Sequence, residues 1–163
     1  MCCTKTPVLR LSGQLKTADK TYREDIISER YTGGCLCGAV RYEFSQAPKQ
    51  VTICHCNDCK KVTGSVFGLS MEIEAASFTI LSGQLKKYTK TADNGIRISR
   101  AFCSNCGSPV LTTEETYPDL VWIKAGSLDE PELVKPTKQI WTKRAVPWAK
   151  IDAGLLSFSE EGK

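Results

Sequence analysis

Residues 54–59 read Cys-His-Cys-Asn-Asp-Cys, which places three thiols beside the only histidine of this 163-residue chain. Two further cysteine pairs flank this stretch in the sequence, Cys35 and Cys37 before it and Cys103 and Cys106 after it. The chain has nine cysteines in all, and an odd number cannot pair off completely in internal disulfides. Close spacing of this kind indicates metal ligands more strongly than disulfides. We therefore expect the fold to be organised around these three clusters.

The composition favours a soluble globular protein. Hydrophobic residues make up 41% of the chain and charged residues 25%, which is typical of globular domains. We expect neither a membrane span, which needs 18 or more apolar residues, nor a signal peptide. A reducing, cytoplasmic location follows, where thiols persist as thiols or metal ligands. The mild net charge of +4 predicts no binding to nucleic acid or to a membrane.

The ligand counts of the clusters fit two zinc sites of different kinds. Structural zinc has four tetrahedral ligands, whereas catalytic zinc has three protein ligands and an open position. The simplest partition gives four cysteines to a closed site and three to an open one: Cys35, Cys37, Cys103 and Cys106, then Cys54, Cys56 and Cys59. A mixed partition stays open, although it leaves one thiol without a metal. The cysteines could also be buried without a metal, or the second site could be purely structural and completed by His55 or by a side chain from elsewhere in the chain.

The spacing within each pair has a physical basis. A C-x-C sequence on an extended backbone sends both side chains to the same face. In the C-x-x-C pair, the following Gly107 can adopt the positive φ that such a turn often needs. A site closed between residues 35 and 103 would join the two ends of the domain. Metal binding would then contribute about 10 kcal/mol to folding, as in small zinc domains.

His55 lies between two cysteines of the central cluster, so an extended segment would point it away from them. We expect it beside the ligands or at the surface rather than on a metal. A single histidine also excludes an H-E-x-x-H protease and a C₂H₂ zinc finger. The sequence contains no dinucleotide-binding glycine motif and no P-loop.

Short, closely spaced strand patterns cover most of the remaining chain. The candidates are residues 39–44, 50–53, 66–73, 78–81, 85–89, 96–102, 109–113, 120–125 and 138–142. Residues 57–63 are a loop or a single helical turn, and Asp93-Asn94-Gly95 predicts a hairpin turn. The absence of a long helical period predicts an all-β domain of antiparallel sheets with little helix.

We expect one domain over residues 31–152 and no boundary within it. Residues 1–30 are polar and form a poorly defined N-terminal extension, in which Cys2 and Cys3 are incidental thiols. Residues 153–163 form a C-terminal tail that is mobile unless Leu155, Leu156 and Phe158 dock on the domain. We also expect Trp141 and Trp148 in the core rather than in a pocket.

Three motifs, in this order, resemble the glutathione-dependent formaldehyde-activating enzyme family, which also contains centromere protein V. They are GGCLCGAVRY at 33–42, CHCNDCKK at 54–61 and FCSNCGSP at 102–109. Residues 126–131, with Trp141 and Trp148, are similar to the family's C-terminal part, and the resemblance covers about residues 31–151. Two positions depart from the family pattern: Gln139 stands where histidine is common, and Lys60 stands where arginine is frequent.

The resemblance implies a Mss4-like (β-tent) fold with zinc knuckles and two zinc sites. Cys35, Cys37, Cys103 and Cys106 would hold structural zinc, and Cys54, Cys56 and Cys59 a second, partly occupied zinc exposed to substrate. The family's activity combines formaldehyde and glutathione into S-hydroxymethylglutathione, which is carbon–sulfur lyase chemistry. The central cysteines would thus be the catalytic group, holding a metal that activates the thiol or the carbonyl.

Further residues near the central cluster are candidates for substrate contacts. Ser65 and Phe67 are expected at the pocket, and Lys60 and Lys61 could attract a carboxylate of glutathione. The alternative function is a zinc-stabilised protein-interaction module without catalysis. A reductase of the methionine sulfoxide type is a third interpretation, but it needs a free redox cysteine, and every cysteine of the domain is already assigned.

Overall fold

The computed structural model describes residues 30–151 and 154–162, and within them the fold is built from eleven short strands. The strands are β1 (Tyr31–Gly34), β2 (Arg41–Phe44), β3 (Gln50–Cys54), β4 (Gly68–Glu74), β5 (Phe78–Ser82), β6 (Leu85–Thr91), β7 (Arg97–Cys103), β8 (Pro109–Glu114), β9 (Leu120–Lys124), β10 (Lys138–Ile140) and β11 (Leu156–Ser157). The α-helix of this part, α1, spans Asn57–Thr63. The all-β fold with little helix is confirmed.

Short 3₁₀ turns occupy the loops of the second half, at Ala125–Ser127, Pro131–Leu133 and Thr142–Arg144, with an earlier one at Ala75–Ser77. None of the helices in the described ranges is long and apolar enough to cross a membrane. Cys2, Cys3 and the rest of the predicted extension up to residue 29 lie outside the described residues.

The strands form two sheets. The small sheet has the order β1-β2-β5, and the large one has the order β11-β10-β3-β4-β9-β8-β7-β6. Most neighbours are antiparallel as predicted, but β10 runs parallel to both β3 and β11. The difference arises because the chain leaves β9 in mid-sheet and returns to the far side of β3 through a long loop, which is the connection that parallel pairing requires.

The core lies between the two sheets and is built by strand alternation. Val40, Tyr42 and Phe44, the predicted inward face of residues 39–44, are at most 1% exposed, and Met71 and Ile123 meet them from the large sheet. Burying each such side chain stabilises the fold by about 1.5–3 kcal/mol. The small sheet passes so close to the 125–127 turn that a Cβ on Gly33 would lie 2.4 Å from the Ser127 carbonyl oxygen.

Two turn predictions are confirmed and one ambiguity is resolved. Gly95 has a φ of 84° in the tight turn between β6 and β7, and Gly107 has a φ of 76° after the second cysteine pair. Residues 57–63, a loop or helical turn in the sequence interpretation, form α1, which ends at Gly64 with a φ of 64°. The sequence patterns did not predict β1 and β11.

Residues 154–162 dock on the large sheet through main-chain hydrogen bonds, and of the predicted docking side chains Leu155 and Phe158 are half-buried. The Trp141 and Thr142 amides donate to the carbonyl oxygens of Glu160 and Phe158, at 3.0 and 3.1 Å. Leu156 remains 61% exposed although it lies in β11. Trp148 is 73% exposed, so its expected place in the core is wrong.

Candidate metal centres and the cleft between them

The outer thiol group joins two turns that are far apart in sequence. Cys35 and Cys37 follow β1, while Cys103 ends β7 and Cys106 lies in the turn before β8. The four sulfur atoms lie within 4.8 Å of one another, and the Sγ–Sγ distances are 3.4 Å for Cys35–Cys37 and 3.9 Å for Cys37–Cys103. Tetrahedral zinc with Zn–S bonds of about 2.3 Å separates its sulfurs by about 3.8 Å. The group therefore fits zinc without rearrangement of the chain.

Hydrogen-bond donors around the outer group favour thiolates, the form that binds metal. The Val40 amide donates to Cys35 Sγ at 3.2 Å, and the Asn105 side-chain amide donates to Cys37 Sγ at 3.2 Å. Ser108 lies with its Oγ 3.2 Å from Cys106 Sγ, and its hydrogen bond lowers the pKa of Cys106 to about 5.

The central thiol group comes from one short stretch where β3 passes into α1. Cys54 ends β3, and Cys56 caps α1 by accepting the Cys59 amide at 3.3 Å from its Sγ. The three sulfur atoms lie within 4.8 Å of one another, and no further cysteine, histidine or carboxylate of the described residues joins them. Hydrogen bonds with Cys54 and Cys59 lower the pKa of Cys56 to about 2. The trio thus supports a thiolate and presents three ligands.

The structure groups the seven cysteines of the domain into four and three, as in the simplest partition of the sequence. The mixed grouping, in which an outer pair takes sulfurs from the trio, does not occur among the described residues. Neither group forms disulfides.

His55 is buried behind the central trio and joins neither thiol group. It is 1% exposed, which corrects the surface alternative for this residue. Its Nε2 lies 3.1 Å from Gln139 Oε1, while Gln139 Nε2 donates to Ser157 Oγ at 2.9 Å. Since the amide nitrogen of Gln139 faces Ser157, its oxygen accepts from His55, which assigns the proton to Nε2. Gln139 therefore fixes the ring of His55, which lies in the chain between two cysteines of the trio.

The first turn of α1 is held by charges on neighbouring elements. Asp58 accepts from Arg100 at 3.1 Å and from Lys90 at 2.7 Å. The ammonium group of Lys60 donates a hydrogen bond to the carbonyl oxygen of Arg144. Of the two lysines expected to meet a substrate carboxylate, Lys60 is thus occupied by the main chain, and Lys61 is exposed.

A cleft of about 570 Å³ is lined by Cys35 of the outer thiol group and by residues that neighbour the central trio in α1 and β4, but by none of the three central cysteines. Its walls come from both sheets and from α1, and include Cys35, Arg41, Thr63, Phe67, Lys124 and Asp129. This volume falls in the range of small-molecule sites, about 300–1,000 Å³. Phe67 lines the cleft as expected and meets the His55 ring edge-on at 6.2 Å, whereas Ser65 is exposed and is not part of its wall.

Lys124 is a functional candidate that the sequence interpretation missed. It is 8% exposed, its Nζ donates to Ser70 Oγ at 3.0 Å, and it lines the cleft. Burial lowers the pKa of Lys124, against the opposing influence of the Cys59 thiol. The available signal in the sequence was a lysine at the end of the apolar strand 120–124. Lysine is almost never buried without a partner, so its place in such a strand indicates a functional candidate.

The opposite wall carries an ion pair. Arg41 donates to both carboxylate oxygens of Asp129, with Nη1–Oδ1 at 2.8 Å, and Thr32 Oγ1 donates to Oδ2 at 2.6 Å. These hydrogen bonds, that of Arg41 first, hold the pKa of Asp129 at about 2. The pair ties the small sheet to the loop that follows the 125–127 turn.

Comparisons with known proteins agree with this geometry. The model of the family "Glutathione-dependent formaldehyde-activating enzyme" matches residues 30–144, which include both thiol groups. A Halomonas elongata protein, provisionally named a glutathione-dependent formaldehyde-activating enzyme, is 24% identical over 127 residues, which cover 74% of this chain and 80% of that protein.

A solved structure of a Rhodobacter sphaeroides protein, a structural genomics target, has a similar fold. The TM-score is 0.51 at 18% identity, over 78% of this chain and 98% of that one. At this identity the similarity concerns the fold alone.

Proposed function

The chain belongs to the glutathione-dependent formaldehyde-activating enzyme family, and from this premise we propose that it is a zinc enzyme that joins glutathione, or a similar small thiol, to formaldehyde. The product would be S-hydroxymethylglutathione, by carbon–sulfur lyase chemistry. The observation that carries the proposal is a group of three thiols that lacks a fourth protein ligand among the described residues. The cleft of small-molecule size is lined by Thr63, whose hydroxyl donates to the carbonyl oxygen of Cys59.

The two thiol groups would divide the work between folding and chemistry. Cys35, Cys37, Cys103 and Cys106 would hold a zinc with a complete tetrahedral shell, which leaves no position for a substrate. Cys54, Cys56 and Cys59 would hold a second zinc, which when bound supplies a Lewis acid that lowers the pKa of a substrate thiol.

Residues of the cleft would orient the thiol and restrict water. Phe67 and Leu69 give the cleft an apolar wall near the trio. Thr63 fixes the end of α1, because its Oγ1 donates to the Cys59 carbonyl oxygen at 2.7 Å. In the addition, the sulfur forms a bond to the aldehyde carbon, the carbonyl π pair moves to oxygen, and that oxygen takes up the proton that the thiol has lost. Since glutathione is maintained in reducing compartments, we place the reaction in the cytoplasm.

The test replaces Cys56 by serine and measures zinc stoichiometry, circular dichroism and adduct formation by NMR. We expect the variant to lose one of two zinc ions and all catalysed adduct formation, while its fold is kept. Cys3→Ser is the matched control, since Cys3 lies outside the three cysteine clusters of the sequence, and it should behave as the wild type.

Zinc-loaded wild type that neither binds glutathione nor accelerates adduct formation would overturn the proposal. A cobalt-substituted protein whose absorption spectrum does not change when glutathione is added would also contradict the proposal. Recovery of a specific protein partner under those conditions would then favour the zinc-stabilised interaction module.

A further inference from the structure

Lys124 is a buried cation without a carboxylate partner among the described residues. Its side chain is 8% exposed, and none of the ion pairs among the described residues includes it. Within the described part of the chain, its hydrogen bond to Ser70 Oγ at 3.0 Å uses one of its three N–H donors. Burying a charge in this way is costly unless another group, from the protein or from a ligand, completes the environment. Such residues are candidates for functional sites.

The sheet places this cation on the same side as the central trio. Ser70 and Lys124 are directly paired between β4 and β9, so their side chains share one face. Gly68 precedes Ser70 by two residues and faces the same way; a Cβ built there would lie 3.5 Å from Cys59 Sγ. Two residues of a strand span about 6.6 Å. The register therefore places Lys124 on the Cys59 side of the sheet, about one strand repeat from Gly68.

The remaining cations near the cleft do not offer a free donor in this position. The guanidinium of Arg41 is neutralised by Asp129 on the opposite wall. Lys60 is bound to the Arg144 carbonyl oxygen. Lys124 is therefore the cation of the described cleft that lacks a carboxylate partner and lies on the side of the thiol trio.

We propose that Lys124 is a catalytic residue that donates a hydrogen bond from Nζ to the oxygen of the aldehyde as the carbon–sulfur bond forms. This inference rests on the proposed function and names the group that stabilises the charge developing on oxygen. A lone pair of the thiolate sulfur forms the new C–S bond, and the π electron pair of the carbonyl group moves to its oxygen. That oxygen takes a proton from solvent, which replaces the proton released by the thiol. No oxidant or further reactant is needed, and Ser70 acts as a positioning residue for Nζ.

The test compares two ligands that differ only in this oxygen. S-hydroxymethylglutathione, formed from glutathione and ¹³C-formaldehyde, and S-ethylglutathione have the same size, but the second carries a methyl group in place of the hydroxyl. Binding is measured by ligand-detected NMR on zinc-loaded wild type, Lys124→Met and Lys124→Arg, together with catalysed adduct formation. Methionine keeps the apolar stem of lysine, so the fold should persist.

We expect the wild type to prefer the hydroxymethyl ligand by about 10-fold or more, and Lys124→Met to lose that preference, as for a charged hydrogen bond. The kcat of adduct formation should fall by about 10²-fold, the size typical of one lost oxyanion donor, with affinity for glutathione itself little changed. Lys124→Arg should recover part of both. Ser70→Ala, a second variant with an intact cation, should show a smaller loss in the same direction.

Three outcomes would overturn the inference. An unchanged ligand preference in zinc-loaded Lys124→Met would remove its basis, and so would a loss of affinity for glutathione with kcat unchanged, which would make Lys124 a carboxylate anchor. Lys124→Met could also lose the central zinc while the molecules that still hold it keep the preference for the hydroxymethyl ligand. Lys124 would then be only a counter-charge for the thiolates. Wild type that binds neither ligand would overturn the proposed function itself. Lys87→Met, on the exposed edge strand β6, is the matched control and should leave every value unchanged.

Discussion

The two thiol groups of this protein are chemically alike but differ in how the chain builds them. The outer group brings together turns separated by 66 residues, as counted from Cys37 to Cys103, and its members Cys35 and Cys103 are buried. The central group is contained in residues 54–59, and three ligands leave a metal there with an open position. Closing a loop of 66 residues removes about 2 kcal/mol more conformational entropy from the unfolded chain than closing one of about six. Metal at the outer group should therefore contribute to folding, while metal at the central group is available for chemistry.

The largest expected effect comes from breaking the outer group. In Cys103→Ser the outer zinc should be lost, and with it about 10 kcal/mol of binding free energy that contributes to folding. Since domains of this size are stable by only about 5–15 kcal/mol, the variant should be unfolded at 25 °C. Circular dichroism and zinc content of the purified protein measure this.

Cys59→Ser provides the matched comparison, because it removes one ligand of the central group. It should retain one zinc and a cooperative thermal transition. Equal loss of fold in both variants, or a native spectrum for Cys103→Ser, would contradict the division between the two groups.

The second expected effect concerns the support behind the central group. Gln139→Met removes the oxygen that accepts the His55 Nε2 hydrogen bond, and His55 is 1% exposed. A buried donor left without a partner costs about 1–3 kcal/mol. Denaturant unfolding of the zinc-loaded protein should show this loss, while zinc stoichiometry stays at the wild-type value. Gln84→Met, at an exposed position, should change the free energy of unfolding by less than about 0.5 kcal/mol. A loss of the same size in both variants would show that the His55 contact contributes nothing.

A third prediction perturbs the central group through its packing. A Cβ at Gly68 would lie 3.1 Å from the Cβ of Cys59, closer than ordinary contact. In Gly68→Ala the start of α1 must shift by a few tenths of an ångström, which should weaken zinc binding at the central group about 10-fold. Competition with a chromophoric chelator measures this, and the tightly held outer zinc serves as the internal reference.

Gly126→Ala is the control for this packing change, since a Cβ there meets no atom within 4 Å. It should leave both zinc affinities as in the wild type. Weaker binding at both groups in Gly68→Ala would indicate a general loss of stability instead.

The same contrast explains which features could be predicted from the sequence. Strand alternation at Val40, Tyr42 and Phe44 and the turn signal at Gly95 are local, and the structure has both. Ligand spacing within each cysteine cluster is also local, and the arithmetic of four and three ligands was enough to predict the grouping. That the two groups bind zinc remains a prediction.

The features that were missed depend on pairing between distant segments. β10 lies parallel to β3 with Gln139 opposite Ile53, and β11 then adds to β10. His55 is buried because these strands cover it, and no local pattern signals that. Lys124 faces the trio only because β9 pairs with β4 in the register that sets it beside Ser70. The cleft and its cation are thus products of topology rather than of any motif.

The smallest expected effect tests the wall opposite the central group, where Arg41 and Asp129 join the small sheet to the 125–127 turn. The Asp129 side chain is 40% exposed, so solvent screens the pair, and Asp129→Asn should reduce the free energy of unfolding by no more than about 1 kcal/mol at pH 7. Because the pKa of Asp129 is held at about 2 in the folded protein, below its ordinary value, the carboxylate contributes stability above that ordinary value and loses it only as the pH falls towards 2.

The difference between Asp129→Asn and wild type should therefore be constant from pH 8 to pH 5, a range in which the thiolates can keep their metal. Denaturant unfolding with excess zinc at several pH values measures it. No difference between the two proteins anywhere in this range would mean that the folded carboxylate has its ordinary pKa and that the Arg41 pair does not hold it. In that case the small sheet would be tied to the large one chiefly through Tyr42, whose hydroxyl lies 2.8 Å from Ser127 Oγ, and through the outer thiol group.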